Sequence, residues 1–174
     1  MNATVIETER LELRRAGVED AEAVARLWAD PDLMKYMGGP RDREKVRQMV
    51  REKAAHSSGD PVAIWCTTER TTGNVIGDCG LLRKEIEGTP ETEVFYLIAK
   101  HRHGKGFATE AAIALRDYAF NKLGLSRLVA LIDPKNLASV RVAEKAGFSH
   151  ERDVVRPSGK TMALFSAKKK RARK

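Results

Sequence analysis

HRHGKGFATE, residues His101 to Glu110, joins a run that reads as a strand to one that reads as a helix, and this junction decides the fold. Upstream, Val94 to Ala99 (VFYLIA) is unbroken and rich in β-branched and aromatic residues, the pattern of a strand buried on both faces. Downstream, Ala108, Ala111, Ala112, Leu115, Tyr118, Ala119 and Leu123 recur at helical spacing, and Gly124 stands where a C-terminal cap belongs. Gly104 and Gly106 therefore occupy a strand-to-helix turn. Glycines let the backbone come close to a ligand there, and the first N–H groups of a helix have no internal partners, so they can point at an anion. Arg102 and Lys105 add positive charge beside them.

Two common phosphate ligands are excluded by spacing. A dinucleotide-binding turn needs a third glycine at position 109 and an acid about twenty residues further on. Position 109 is Thr109, and residues 121 to 130 contain neither Asp nor Glu. The Gly-x-x-x-x-Gly-Lys-Ser/Thr loop of nucleoside triphosphatases occurs nowhere in the chain.

The string His101-Arg102-His103-Gly104-Lys105-Gly106 resembles the acyl-coenzyme A loop, Gln/Arg-x-x-Gly-x-Gly/Ala, of the GNAT acetyltransferase superfamily, with His101 in place of Gln or Arg. The block from Asn136 to Phe148 (NLASVRVAEKAGF) is similar to that family's Asn-x-x-Ser helix followed by Lys-x-Gly-Phe. Thr8-Glu9-Arg10-Leu11 with Leu13 and Arg14, and Ile76 to Leu81 (IGDCGL), resemble the first and third strands of its RimJ/RimL-like branch, which acetylates protein N-terminal amines. The resemblance implies a single-domain α/β fold with a mixed, mostly antiparallel central sheet, helices on both faces and a splayed pair of central strands. It implies acetyl-coenzyme A as co-substrate, with the coenzyme held by Leu97, Ile98, Ala99, His101, Arg102, His103, Gly104, Lys105, Gly106, Phe107, Ala108, Thr109, Asn136 and Ser139. An N–H near Ile98 would polarise the thioester oxygen.

Acetyl transfer to an amine also requires an uncharged amine and a proton for the departing thiolate. Many family members use a Tyr seven positions beyond the Asn, where this chain has Ala143; RimJ/RimL-like members are proposed to use a Ser three positions after it, here Ser139. Ser near a helix start is also a common capping residue, so both readings of Ser139 stand. Glu93 at the head of the fourth strand is the general-base candidate, its alternative being a solvated strand-end charge beside Glu91. An α-amine of pKa about 7.8 is roughly a quarter uncharged at neutral-to-slightly-basic pH, whereas a lysine near 10.4 costs about 4 kcal/mol to deprotonate. The expected acceptor is therefore a protein or peptide N-terminal amine, a ribosomal protein included. A small amine such as an antibiotic, polyamine or amino acid is the alternative, and a non-catalytic acyl-coenzyme A sensor or RNA-associated module a further one. His101 and His103 lack a converging third ligand, so no metal site is expected. Trp28, Met34, Tyr36 and Met37 lie near the segment bordering the acceptor cleft and read as core or lid residues.

The 174 residues, 42% of them hydrophobic, suit one domain. No apolar stretch reaches the roughly eighteen residues of a membrane span, and MNATVIETER lacks a secretory apolar segment, so a cytoplasmic protein is expected. Cys66 and Cys79 read as buried free thiols. The net charge of +8 is concentrated at the end, where Lys168, Lys169, Lys170, Arg171, Arg173 and Lys174 supply six charges. Residues 1–167 thus form the expected domain and 168–174 a basic, disordered tail, the one part expected to meet nucleic acid. The oligomer is left between monomer and homodimer.

The patterns predict strands at Arg10–Arg15, Val62–Glu69, Val75–Lys84, Val94–Ala99, Arg127–Ile132, Phe148–Val155 and Thr161–Ala167. They predict helices at Asp20–Ala29, with Asp20 as N-cap, at Asp42–His56, after Gly106 and after Asn136. Asp30-Pro31-Asp32 and Gly88-Thr89-Pro90 read as connecting turns.

Overall fold

The computed structural model describes residues 4–56 and 59–170. Among the described residues eight strands form one sheet: β1 (Thr4–Glu7), β2 (Leu11–Arg14), β3 (Ile64–Glu69), β4 (Val75–Ile86), β5 (Thr89–Ile98), β6 (Arg127–Ile132), β7 (Ser149–Val155) and β8 (Thr161–Lys168), in the spatial order β1-β2-β3-β4-β5-β6-β8-β7. All neighbours are antiparallel except β5 and β6. The helices are α1 (Ala21–Ala29), α2 (Pro31–Met34), α3 (Arg43–Ala55), α4 (Phe107–Asn121) and α5 (Leu137–Lys145).

The unbroken VFYLIA run is explained by cover on both sides. Val94 and Ile98 pack with Ala111, Ala112 and Leu115 of α4, whereas Phe95 and Leu97 pack with Leu27 and Met34 of α1 and α2. Alternate side chains of a strand leave opposite faces, so the sheet lies between these two helical layers. Cys66 and Cys79 are both buried free thiols, one on each side.

The β5–β6 pairing consists of one register pair, Glu93 with Val129. Beyond it the strands part, which is the splay implied by the family resemblance; β1 shifts their ordinal numbers by one.

Several local expectations are corrected. The short β1 was too brief to show a period, and it pairs with β2 through Ile6↔Leu13 and Glu7↔Glu12. Asp20 does not cap α1: its carboxylate accepts from Arg14 at 2.7 and 2.9 Å and from the Gly17 N–H at 2.7 Å. A charged guanidinium two-pronged onto a carboxylate outcompetes a single capping N–H. Pro31 ends α1 but also opens α2, with Asp30 accepting from the N–H groups of Asp32 (2.8 Å) and Leu33 (3.2 Å). Thr89 and Pro90 belong to β5, because Glu87 (φ 48°) and Gly88 (φ 78°) make a two-residue hairpin whose twist continues the ladder to Ile86↔Thr89. The boundary expected at 167 falls inside β8, where Lys168 pairs with Arg127. Lys169 then donates its N–H to the Ser126 carbonyl (2.9 Å) and its Nζ to the Phe120 carbonyl (2.6 Å). Arg171 to Lys174 lie outside the described residues. Among the described residues no helix is long and apolar enough to cross a membrane.

Asp78 of β4 is buried beneath α1, accepting from Trp28 Nε1 at 2.8 Å, while the Trp28 ring stacks on Phe95 with centroids 5.5 Å apart. Burial pushes its carboxyl from 3.8 up to about 7, against the opposing effects of the Trp28 N–H and Lys53. A folded-state value above the unfolded one gives stability that is complete below about pH 4 and is lost as pH rises through about 7. Asp78→Asn, which keeps an acceptor for Trp28, should match the parent at pH 4 and exceed it at pH 8 by up to about 4 kcal/mol. Urea unfolding at the two pH values checks this; equal stability at pH 8 would refute it.

Candidate active site

The turn between β5 and α4 is built on two left-handed glycines, Gly104 (φ 74°) and Gly106 (φ 82°). Gly106 precedes the first helical residue and offers no side-chain cap, so the first N–H groups of α4 stay open. A Cβ at Gly104 would meet nothing within 4 Å, which means the space before the turn is clear.

That space is part of a groove of about 680 Å³ running along the splay. One wall is β5, with Tyr96, Leu97 and Ile98; the floor is the turn and α4 start, with Arg102, His103, Gly104, Gly106, Phe107, Ala108 and Thr109. The facing wall is α5 with Asn136, Ala138, Ser139, Arg141, Val142 and Lys145, and the rim carries Asp32, Leu33, Tyr36, Met37 and Lys100.

Most residues chosen from the sequence therefore meet here, but Ala99, His101, Lys105 and Glu93 do not line the groove. Ala99 is buried, its N–H donating to the Ile76 carbonyl of β4 at 2.7 Å. Neighbouring strand residues direct their backbone groups to opposite edges, so those of Ile98 face the splay. There the Ile98 carbonyl accepts from His103 Nε2 at 2.7 Å. His101 is exposed. Arg102 lines the groove, yet its Nη2 is held by Glu69 at 2.6 Å. Glu93 sits at the apex of the splay: Oε1 accepts the Leu131 N–H at 3.3 Å and Oε2 lies 3.8 Å from Lys84 Nζ. Burial raises its pKa, opposed by the charge of Lys84 and the Leu131 bond.

On α5 the capping group is Asn136, whose Oδ1 accepts the Ser139 N–H at 3.2 Å. The Ser139 carbonyl accepts the Tyr96 hydroxyl at 2.9 Å, and burial pushes that hydroxyl's pKa upward. Ala143 is packed in the core. Of the candidate lid residues, Met34 is fully buried, Trp28 is taken by Asp78, and Tyr36 and Met37 reach the groove. Sequence reasoning missed Tyr96, hidden as one letter of an apolar run, and Arg141 and Lys145, which stood in the quoted α5 block with no spacing rule to single them out.

Residues 10–149 match the family described as "Acetyltransferase (GNAT) domain". The chain belongs to the GNAT acetyltransferase family. The protein YkkB of Bacillus subtilis (strain 168) is 37% identical over 170 residues, 97% of this chain and 98% of that one. The uncharacterized N-acetyltransferase p20 of Bacillus licheniformis is 31% identical over 163 residues, covering 91% of each. The crystal structure of an acetyltransferase from Agrobacterium tumefaciens str. C58 superposes with a TM-score of 0.79 at 29% identity, covering 97% of this chain and 96% of that one.

The protein is thus an acetyltransferase, and acetyl-coenzyme A is its co-substrate. The groove is compatible with that molecule: the N–H groups at the head of α4 are open to an anion, and the lining also carries Arg141 and Lys145. A Cβ at Gly104 meets nothing within 4 Å, yet its φ of 74° strains any L side chain, so the effect of the charge is read for Gly104→Glu relative to Gly104→Gln, which shares the strain. On that comparison Gly104→Glu should weaken coenzyme A binding roughly tenfold or more in a calorimetric titration, through charge repulsion at a helix N-terminus. Equal affinity of the two variants would remove the turn from the coenzyme site.

Proposed function

We propose that this acetyltransferase modifies the N-terminal α-amine of a protein or peptide, by direct attack of that amine on the thioester in a ternary complex. The observation that carries the reading is the charge of the groove. Among its lining residues the one carboxylate is Asp32, already ion-paired with Lys100; Arg102 is paired with Glu69, and Arg141 and Lys145 are the cations that serve the coenzyme's anionic end in this reading. A polyamine or aminoglycoside carries several positive charges that need anionic partners, and this lining supplies none to spare. An α-amine brings a single charge that is easily shed. Leu33, Tyr36 and Met37 on the rim offer apolar contacts to the side chain next to it.

The RimJ/RimL-like motif at Thr8–Arg14 and the Ser139/Ala143 pattern support the same acceptor class. In this mechanism the amine nitrogen bonds to the thioester carbon, the C–S bond breaks, and its electron pair leaves with sulfur. We assign the polarising donor to the Ile98 N–H, on the edge of β5 that faces the splay. Ser139, on the facing wall, passes its hydroxyl proton to sulfur and regains one from solvent. Glu93 takes the amine proton through water, since it stands at the apex and not in the lining. Its raised pKa brings it closer to that of the amine, which makes it a better acceptor than a solvated carboxylate.

Glu93→Gln should lower kcat/KM by roughly 100-fold or more and, once rates are referred to the concentration of uncharged acceptor amine, abolish the acidic limb of the pH profile, because the base works only when ionised. In the parent that limb should fall above 4.5, the direction in which burial moves Glu93. A variant with the parental limb would assign it to another group. With acetyl-coenzyme A and thiol release as the readout, peptides with free N-termini should exceed spermidine and aminoglycosides in kcat/KM by roughly tenfold. Better turnover of either polycation would overturn the acceptor class.

A further inference from the structure

The stretch joining β1 to β2 makes contacts that the groove does not explain. Glu110, in the first turn of α4, accepts the Thr8 hydroxyl at 2.6 Å, the Arg10 N–H at 2.9 Å and Arg10 Nε at 2.6 Å. The Arg10 guanidinium also donates from Nη1 to the Lys105 carbonyl at 2.9 Å and lies over the Phe107 ring, 4.4 Å from Cζ to the centroid. The Arg10 carbonyl accepts the Arg70 N–H at 2.9 Å, so the residue is anchored at both its backbone and its head.

Lys105 stands between the two left-handed glycines. A trans peptide is planar, with C=O and N–H pointing in opposite directions. Turning the Lys105 carbonyl outward to Arg10 therefore turns the Gly106 N–H the other way, toward the groove that Gly106 lines. Rotation of that plane changes ψ of Lys105 and φ of Gly106, and the glycine offers little steric resistance on its side. A flip would present a carbonyl oxygen to the anion in place of a donor.

We propose that Arg10 is a positioning residue of the coenzyme site: its guanidinium holds the Lys105–Gly106 peptide plane with the N–H aimed at the diphosphate, and Glu110 aims the guanidinium. Arg10 touches neither coenzyme nor acceptor. Its side chain is 41% exposed, so the ion pair with Glu110 adds little to folding, and its effect belongs to ligand affinity.

The test is a calorimetric titration of coenzyme A and of pantetheine, which shares the thiol arm and has no phosphate, and it needs no acceptor. Arg10→Ala should weaken coenzyme A roughly tenfold or more while pantetheine stays within about twofold. Arg10→Lys keeps the charge without the fork and should show the same selective loss, to a smaller extent. It carries the comparison if the alanine variant fails to fold. The double variant Arg10→Ala/Glu110→Gln should remain weak for coenzyme A. Recovery of parental affinity there would show that Arg10 merely cancels the Glu110 charge, and would overturn the proposal. Equal loss for both ligands, or no loss for coenzyme A, would overturn it as well.

Discussion

The parallel pairing of β5 with β6 ends after Glu93 and Val129, and the site is arranged around that early end. A strand edge that loses its neighbour inside a sheet exposes backbone donors and acceptors, which are unfavourable to bury alone. Side chains satisfy several of them here. The Glu93 carboxylate takes the Leu131 N–H of β6, and the His103 ring takes the Ile98 carbonyl of β5. The Tyr96 hydroxyl reaches across to the Ser139 carbonyl of α5. The Glu93 and Tyr96 contacts cross the opening, and the groove beside them is where an extended acyl chain can lie against strand backbone.

How much of this was legible depends on whether the signal was local. VFYLIA announced a strand covered on both faces because it lacks alternation, and the helices after Gly106 and Asn136 announced themselves by period and cap. The glycine turn was legible because φ > 0 restricts the residue type. Partners distant in sequence were not legible. Nothing in Asp20 shows that Arg14 will claim its carboxylate, and nothing in Arg102 shows that Glu69 will claim its guanidinium. Tyr96 was invisible for a different reason: an aromatic in an apolar run looks like core until the position of its hydroxyl is known.

The two faces of the central strands carry different chemistry. Asp78 is paired in register with Leu97, and Glu93, Phe95 and Leu97 alternate along β5, so both acids leave the face covered by α1 and α2. Burial raises the pKa of each. The opposite face, under α4, is almost wholly apolar. The strand thus separates a rigid hydrocarbon layer behind the coenzyme loop from a face whose carboxyls exchange protons nearer neutrality than solvated ones do.

The C-terminal lysines have two physical roles. Lys168 is a strand residue, and the Lys169 ammonium caps a carbonyl at the C-terminal end of α4, where a cation also meets the negative pole of the helix. The same helix is gripped at its other end by Arg10 through Glu110, so α4 is a strut fixed at both termini. Trimming the basic run back to residue 167 would therefore loosen the strut that carries the coenzyme turn, and any change in catalysis would report that mechanical loss as well as the missing charge. A deletion beginning after Lys170 separates the two.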